Sequence, residues 1–402
     1  MTQRWITVVG LGEGGIERLS PEARAAIEAA DVLIGGERHM ALVPRGGLER
    51  MTWRTPLKDT MGDIAARRGK RVVVLASGDP MWFGVGATLA RHFAPEELAI
   101  LPTPGAYSLA AARLAWSLPD VATITLHGRR LEHLNAHLAP NRRILILSED
   151  GDTPAKVARL LAERGYGTSR VQVLEHLGGP AERIVEGVAQ SWAHPRSADL
   201  NTIAVTCIAE PDATILADAP GLDDDLFEHD GQLTKREVRA ATIAALMPLP
   251  DQILWDVGAG CGSIGIEWMR AARGGRAFAI ERDPARAQMI ERNAAHLGVP
   301  LLRLVGGAAP AALDDLPAPD TVFIGGGIGG AGVAEHCWTA LKPGGRLVAN
   351  VVTVEGETVL AKLQRDWGGS LTRIAVSRAE KIGGLLGWRP LMPVTQYATV
   401  KR

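Results

Sequence analysis

Trp255-Asp-Val-Gly-Ala-Gly-Cys-Gly262 joins a predicted strand, Ile253–Val257, to a predicted helix, Ile264–Arg273. Its three glycines stand at alternate positions. Glycine there lets the backbone turn tightly and approach a ligand, because no Cβ stands in the way. A strand, a glycine-rich turn and a helix in this order predict an α/β domain that binds a nucleoside at the end of its first strand.

The rest of the second half alternates apolar runs with segments of helical period, which predicts a seven-stranded, doubly wound sheet. The other strands are predicted at Arg276–Ile280, Leu301–Val305, Thr321–Ile324, Arg346–Val351, Leu371–Ser377 and Val394–Val400. The other helices are predicted at Thr234–Met247, Pro284–Leu297, Gly332–Leu341 and Glu355–Trp367.

The first half has the same α/β rhythm but no obvious repeat of the second, which predicts a fusion of two unlike domains. Its strands are predicted at Ile6–Val9, Val32–Ile34, Val72–Leu75, Thr123–Leu126, Ile144–Leu147, Val171–Leu174 and Thr202–Ile208, with helices at Pro21–Ala30, Ala106–Ala115 and Pro154–Arg164. A stretch rich in Pro, Gly and acids between Glu210 and Asp225 is typical of an exposed connection. We therefore predict domains at residues 1–210 and 226–402, joined by a linker at 211–225.

Composition excludes several classes of function. The 402 residues carry 44 Lys and Arg against 45 Asp and Glu, so there is no electrostatic basis for nucleic-acid binding. Cys207, Cys261 and Cys337 are far apart and lack metal-ligand spacing, which predicts buried reduced thiols and no metal site. Trp5–Val9 is already strand-like and no apolar stretch is long enough to span a bilayer, so we expect a cytoplasmic protein without membrane contact.

The nucleoside predicted for the second half could belong to either of two cofactor families. Gly260-Cys-Gly-Ser-Ile-Gly265 also fits the dinucleotide pattern, and Glu281 suits a ribose hydroxyl in either family. Three features favour S-adenosylmethionine: the anion of Asp256 near the first glycine, a turn at Leu341–Leu347 that resembles class I methyltransferases, and small residues for an adenine at Ala308 and Ala309. A nicotinamide dinucleotide and a scaffold without a ligand remain the alternatives.

The second half as a whole resembles the decarboxylating precorrin methyltransferases that act at C15, which have a class I, Rossmann-like fold. That family's entry motif is present as Gln232-Leu-Thr-Lys-Arg-Glu-Val238. The resemblance implies that Thr234 lies against the cofactor, although Ala308 stands where the family more often has an acid. The cofactor-binding candidates of this half are Thr234, Asp256, Gly258, Gly260, Gly262, Glu281, Ala308 and Ala309.

Three motifs of the first half resemble the tetrapyrrole (corrin/porphyrin) methylases. They are Val9-Gly-Leu-Gly-Glu-Gly-Gly15, Leu75-Ala-Ser-Gly-Asp-Pro-Met-Trp-Phe-Gly-Val-Gly86 and Pro102-Thr-Pro-Gly-Ala-Tyr-Ser-Leu-Ala-Ala111. The resemblance implies a class III fold of two α/β lobes that hold the cofactor between them. It implies cofactor contacts at Gly10, Gly12, Gly78, Asp79, Met81, Tyr107 and Ser108. The alternative for Asp79 is a turn residue that caps the next helix.

Thr125-Leu-His-Gly-Arg129 and Glu175-His-Leu-Gly-Gly-Pro-Ala-Glu182 resemble the C5-specific branch of the tetrapyrrole methylases. A substrate with many carboxylates requires cationic partners. The substrate-binding candidates are Arg38, Arg129 and Arg130 in the first half. In the second half, Lys235 and Arg236 of the entry motif could pair with substrate carboxylates, but they could equally be solvated residues at the start of a helix. A solvated helix start is also the alternative for Arg129 and Arg130, and packed or surface positions are the alternative for His39, His133 and His176.

The two resemblances together cover nearly all of the chain, as in a fused methyltransferase family of vitamin B12 biosynthesis. They imply methylation of a precorrin at C5 and C15, with loss of carbon dioxide from the acetate on C12. Methyl transfer from a sulfonium mainly requires positioning and the exclusion of water, so no nucleophilic side chain is assigned. We expect S-adenosylmethionine as the cofactor, a precorrin as the substrate and a homo-oligomer.

Overall fold

The computed structural model describes residues 4–44 and 47–402. They separate into two units, one of Met1–Leu131 with Ala139–Thr214 and one of Glu132–Leu138 with Ile215–Arg402. Both units are mixed α/β, which confirms the predicted fold class. The grouping of Glu132–Leu138 with the second unit is a feature that the sequence boundaries do not contain.

The first lobe of the first unit is a parallel five-stranded sheet. Its strands are β1 (Ile6–Leu11), β2 (Val32–Gly35), β3 (Glu49–Thr52), β4 (Val72–Ser77) and β5 (Leu98–Leu101), in the order β3-β2-β4-β1-β5. The helices between them are α1 (Pro21–Glu28), α2 (Glu37–Ala41), α3 (Leu57–Ala65) and α4 (Val85–Leu89). The central strands are unbroken apolar runs because helices and loops cover both faces of the sheet.

The second lobe of this unit is a mixed five-stranded sheet. It contains α5 (Ala106–Leu114), β6 (Val121–Thr125), β7 (Arg143–Leu147), α6 (Thr153–Glu163), β8 (Arg170–Glu175), β9 (Arg183–Val188) and β10 (Asn201–Thr206). The strand order is β6-β7-β10-β8-β9, and only β6 and β7 run parallel. Helix α5 packs its small residues on this sheet, so the third motif of the first half leads directly into the second lobe.

The second unit is built on a seven-stranded sheet. Its elements are α7 (Arg236–Leu246), β11 (Ile253–Val257), α8 (Ser263–Ala271), β12 (Arg276–Glu281), α9 (Pro284–His296), β13 (Arg303–Gly306), β14 (Thr321–Ile324), α10 (Val333–Ala340), β15 (Arg346–Val351), α11 (Val354–Trp367), β16 (Ser370–Ile374), β17 (Ser377–Ile382), β18 (Leu385–Pro390) and β19 (Val394–Val400). The order β13-β12-β11-β14-β15-β19-β16 reverses between β11 and β14. Ligands of doubly wound sheets bind at that reversal, beyond the carboxyl ends of the strands.

Local chemistry fixes the ends of several helices. Ser20 accepts a hydrogen bond from Ala23 at 3.2 Å before α1, and Asp283 accepts one from Ala285 at 2.8 Å before α9. Each of these helices has a proline at its first position, where the missing N–H costs nothing.

Two predictions about the connections need correction. The strand expected at Leu371–Ser377 ends at Ile374, and the chain then forms a separate hairpin of β17 and β18. The linker expected to be exposed is partly buried, because Leu216 and Leu222 pack against α8 and α9. Within the described ranges, none of the helices combines the length and apolarity needed to cross a membrane.

Candidate cofactor and substrate sites

The glycine turn of the second unit lies between β11 and α8. Gly258, Gly260 and Gly262 all have left-handed backbones, with φ of 69°, 61° and 83°. A Cβ on Gly258 would lie 2.8 Å from the backbone of Gly326, whereas a Cβ on Gly260 would meet nothing closer than a carbonyl oxygen at 3.8 Å. Packing within the protein therefore requires glycine at 258, while the space beside Gly260 is open to a ligand.

Asp256 lies beneath this turn and is 1% exposed. Its Oδ2 accepts a hydrogen bond from the backbone N–H of Gly265 at 2.8 Å, and its Oδ1 has no protein partner among the described residues. Burial, together with the nearby charge of Glu281, raises the pKa of this carboxyl to about 7, although the hydrogen bond from Gly265 opposes the rise. Asp256 therefore fixes the turn to α8. Its carboxyl is only partly ionised at pH 7, which weakens the repulsion of a pyrophosphate that the sequence predicted.

Glu281 at the end of β12 ties the neighbouring turns together. Its Oε2 accepts from the N–H of Gly260 at 2.9 Å and its Oε1 accepts from the N–H of Asp283 at 3.0 Å. Its backbone carbonyl also accepts from Gly307, which follows β13, at 3.1 Å. Each carboxylate oxygen keeps a free lone pair, so Glu281 can still accept hydrogen bonds from two ribose hydroxyls.

Ala308 and Ala309 follow Gly307 at the same edge of the sheet. Ala308 is exposed, and Ala309 is half-buried against the central core of the unit. Because β11, β12 and β13 are adjacent and parallel, their carboxyl ends bring the glycine turn, Glu281 and the two alanines together. The structure therefore places these candidate residues at one edge of the sheet.

The entry motif reaches the glycine turn through the backbone of Gln232, whose carbonyl oxygen is the 3.8 Å neighbour of a Cβ built on Gly260. Thr234 is half-buried two residues later, and its carbonyl accepts a hydrogen bond from Nη1 of Arg239 at 2.6 Å. The structure therefore brings Thr234 within two residues of a contact with the turn.

Arg239 is the residue of this region that the sequence analysis did not single out. Its side chain is 0% exposed, and its Nε donates to Oε1 of Glu267 on α8 at 2.6 Å. Arg239 also donates to the carbonyl of Leu222, and Glu267 accepts from the N–H groups of Gly221 and Leu222. This buried pair fastens the segment before α7 to α8. The sequence contains one signal for this pair: Arg239 on α7 and Glu267 on α8 each stand at a helical position where an apolar residue would be expected.

The three motifs of the first unit meet backbone to backbone. A Cβ on Gly10 would overlap the carbonyl oxygen of Gly78, and a Cβ on Gly78 would lie 2.7 Å from the Cα of Gly105. The N–H of Thr103 donates to that same carbonyl at 3.3 Å. Glycine is thus required at 10 and 78 because the turns after β1, β4 and β5 are in direct contact.

These turns form one side of a cavity of about 920 Å³ in the first unit. The sequence-predicted residues that line it are Gly12, Arg38, Gly78, Asp79, Tyr107, Ser108 and Arg129. Gly10, Met81 and Arg130 are not among its lining residues. Its volume is at the upper end of the roughly 300–1,000 Å³ range of small-molecule sites.

Two of these residues already have bonds within the protein. Oδ1 of Asp79 accepts from the N–H of Met81 at 2.9 Å, which closes a local turn. Asp79 does not cap the next helix, as the alternative proposed, because Gly84 is the N-cap of α4 and no side chain caps it. The hydroxyl of Tyr107 donates to the carbonyl of Ile124 at 2.6 Å, and burial raises its pKa above the ordinary value. Tyr107 therefore offers its ring to the cavity, and its hydroxyl joins α5 to β6.

Arg38 belongs to a network that the sequence analysis did not predict. Its guanidinium pairs with Glu13 and contacts Ser77 Oγ at 2.8 Å and His39 Nε2 at 3.0 Å. Burial and the adjacent Arg38 lower the pKa of His39 to about 4, so its ring is neutral at pH 7. Glu13 also meets His176 Nδ1 at 3.0 Å. Burial opposes ionisation of Glu13, but the bonds to His176 and Arg38 lower its pKa overall.

The histidine and cysteine side chains do not converge on a metal. His133 packs edge-on against His137 at 5.2 Å between ring centroids. All three cysteines are buried and free, as predicted. Over residues 4–44 and 47–402, no group of three or more His, Cys, Asp or Glu side chains is arranged to hold a metal ion.

Two family models match the chain, one in each half. Residues 6–193 match the Tetrapyrrole (Corrin/Porphyrin) Methylases. Residues 225–401 match the Precorrin methyltransferase domain.

Curated relatives match nearly the whole length. The precorrin-6Y C(5,15)-methyltransferase (decarboxylating) of Sinorhizobium sp is 50% identical over 399 residues, which are 99% of this chain and 96% of the relative. The Mycobacterium tuberculosis protein of the same name is 42% identical over 403 residues, 99% of this chain and 100% of the relative. A solved C-terminal domain of precorrin-6Y C5,15-methyltransferase from Rhodobacter capsulatus is 44% identical, covers 46% of this chain and 100% of its own, and has a TM-score of 0.44.

Proposed function

Since the chain belongs to the decarboxylating precorrin-6Y C5,15-methyltransferases, we propose that it methylates a precorrin of cobalamin biosynthesis at two separate S-adenosylmethionine sites. The first unit acts at C5. The second acts at C15 and removes carbon dioxide from the acetate on C12. The observation that carries this proposal is the pair of unlike turn clusters, each at the carboxyl ends of the parallel strands of its own sheet.

The second unit has the features that an adenosyl group requires. Glu281 accepts hydrogen bonds from the ribose hydroxyls. The open side of Gly260 admits the ligand without a clash, and Ala308 and Ala309 border the adenine. Thr234 closes the site from the entry motif, and Asp256 holds the turn in shape. S-adenosylmethionine supplies an electrophilic methyl group when bound. The residues named here bind and orient it and assist in excluding water.

The first unit binds its cofactor mainly through backbone groups in the proposed site. Gly12, Gly78, Asp79 and Ser108 line the cavity, as a backbone-bound ligand requires. Gly10 contributes by letting the loops pack, and Met81 contributes its backbone in the turn that Asp79 caps. The loop that carries Glu13 is held in a defined shape by Arg38 and His176.

The substrate is an acidic macrocycle, and the three arginines differ in their suitability for its carboxylates. Arg129 lines the cavity with no ion pair to any described residue, which supports a direct role. The charge of Arg38 is already balanced by Glu13, which favours a positioning role. Arg130 lies outside the cavity lining and is the weakest of the three candidates.

We also propose a homo-oligomer assembled through the hairpin of β17 and β18. The hairpin pairs with no other strand among the described residues and carries an exposed apolar surface. Ile382, Leu385, Leu386 and Trp388 are 68%, 78%, 72% and 77% exposed. An isolated hairpin is marginal in water, so a second copy covering this surface would stabilise it. Light scattering should give more than one chain per particle, and a monomer would contradict the proposal.

Calorimetry with S-adenosylhomocysteine tests the two sites, with two molecules per chain as the expected result. Stabilisation by a nicotinamide dinucleotide instead would favour the oxidoreductase alternative, and stabilisation by neither would favour the scaffold. Asp79→Arg should remove C5 methylation and leave decarboxylation intact. Gly260→Arg should remove decarboxylation and leave C5 methylation intact. Mass spectrometry of the product separates these results. If folded Gly260→Arg decarboxylates normally, that step does not belong to the second unit.

Matched controls separate ligand effects from folding effects. Gly344 has a left-handed φ of 78°, and no atom lies within 4 Å of an added Cβ. It precedes β15 and so lies at the amino ends of the parallel strands, whereas the site lies at their carboxyl ends. Gly344→Arg therefore imposes the same strain as Gly260→Arg away from the ligand. Asp120→Arg, on an exposed residue outside the cavity, serves the same purpose for Asp79→Arg.

A further inference from the structure

The turn after Asp79 holds two large aromatic side chains out of the protein core. Trp82 and Phe83 are 51% and 50% exposed. The backbone of Phe83 is left-handed, with φ of 54°. A bulky residue seldom adopts this conformation, and such strain is concentrated at functional sites. Burial does not explain why aromatic rings stand here.

Both rings line the cavity of the first unit. Their centroids lie 6.0 Å and 6.2 Å from the ring of Tyr107, at angles of 57° and 63°. Tyr107 is 5% exposed and is anchored by its bond to Ile124. The two exposed rings are therefore packed on a buried ring that cannot easily move, and they present a firm apolar surface to the cavity.

Two arginines line the same cavity as these rings. The guanidinium of Arg129 lies 5.5 Å from the ring centroid of Phe83, within cation–π range. Arg91 also lines the cavity. In the part of the chain that the structure describes, neither arginine forms an ion pair. Of the carboxylates that line the cavity, Glu13, Glu149 and Asp199 lie within ion-pair distance of Arg38, His127 and Arg196, whereas Glu37 and Asp79 have no ion pair among the described residues.

We propose that Trp82 and Phe83 form the platform on which the conjugated macrocycle lies in the first unit, with Arg91 and Arg129 pairing with carboxylates at its edge. The proposal rests on the proposed function and names residues that determine substrate binding at that site. A flat π-system packs well against aromatic rings, and arginine pairs bidentately with carboxylates. A nucleoside alone would require neither the second ring nor two arginines that form no ion pair within the described residues.

Phe83→Gly is the most informative variant, because glycine relieves the left-handed strain while it removes the ring. In the full-length protein, the KM for the precorrin in C5 methylation should rise about tenfold, the size expected for one lost aromatic contact. C15 methylation and decarboxylation by the same chain should keep their rates. The affinity of the first site for S-adenosylhomocysteine, measured in the Gly260→Arg background, should not change.

Further variants make the result independent of folding. Trp82→Ala should raise the same KM and Trp82→Phe should largely restore it, which a role in folding alone does not predict. Arg91→Gln and Arg129→Gln should each raise the KM and weaken its dependence on salt. Ile184→Ala is the matched control, since Ile184 is an apolar residue of the first unit, 39% exposed and outside the cavity lining.

An unchanged KM in folded Phe83→Gly and Trp82→Ala would overturn the proposal. So would an equal loss of S-adenosylhomocysteine affinity, because the rings would then serve the cofactor. Failure of the proposed function looks different. In that case the wild-type protein itself would lack the first S-adenosylhomocysteine site or would leave C5 unmethylated.

Discussion

Arg239→Met should destabilise the second unit far more than any exposed substitution on the same helix. Arg239 is 0% exposed and Glu267 is 1% exposed, so the pair has no access to water. Methionine approximates the length of the arginine stem but removes its donors to Glu267, Leu222 and Thr234. Asp224 keeps a second partner, Arg378 at 2.9 Å, so the charge left without a counter-ion is that of Glu267.

The magnitude follows from that isolated carboxylate. Removing one partner of a buried ion pair costs about 3–5 kcal/mol, because the other charge stays desolvated and uncompensated. Arg236 gives the matched control on the same helix, since its pair with Asp223 has side chains that are 54% and 71% exposed. Arg236→Met should cost less than about 1 kcal/mol, as is usual for exposed ion pairs.

Hydrogen exchange in the full-length protein measures this cost locally. Peptides from β11 and α8 report the opening free energy of the second unit without assuming that the whole chain unfolds in one step. Arg239→Met combined with Glu267→Gln should be less harmful than the sum of the single changes, because the double variant leaves no lone charge. The affinity of the second site for S-adenosylhomocysteine should also fall, since the entry motif loses its anchor. A loss below about 1 kcal/mol in Arg239→Met would refute this reasoning.

Two further predictions concern the glycine turn and the residue beneath it. Gly258→Ala should destabilise the second unit more than Gly260→Ala in denaturant unfolding, because only at 258 would the new Cβ meet backbone at 2.8 Å; equal losses would contradict this. The pKa of Asp256 is about 7 in the folded state against 3.8 ordinarily, so between these values the folded protein keeps a proton that the unfolded chain loses. The free energy of unfolding should therefore fall as the pH rises from 3.8 to about 7. Asp256→Asn should remove this decline, and parallel pH profiles for variant and wild type would disprove it.

The success of sequence reasoning differed between central and edge strands. Central strands such as β1, β4 and β11 are buried apolar runs and were predicted from composition alone. The strands of the first unit that were missed, β3, β5 and β9, all lie at sheet edges. Glu49–Thr52 and Arg183–Val188 contain charged residues because one side of each strand is free of a neighbour, so no clear pattern marks them.

A similar division holds for the candidate sites. Glycine turns could be predicted because their backbone geometry requires glycine, and the glycines are visible in a short stretch of sequence. The Glu13–Arg38–His176 network could not, since His176 is 163 positions from Glu13 and only the fold brings them together. The same is true of Arg239 and Glu267, whose pairing depends on how α7 packs on α8.

The burial of the cysteines makes this protein suitable for site-specific labelling. Burial raises the pKa of Cys207 to about 11 and that of Cys337 to about 12, and it also raises the pKa of Cys261. Since the thiolate is the form that reacts with maleimides, the native cysteines should resist modification. One cysteine at Ile184 and one at Leu301, both exposed, would carry a fluorophore pair. Energy transfer between the dyes would then report any change in the distance between the two units during the reaction.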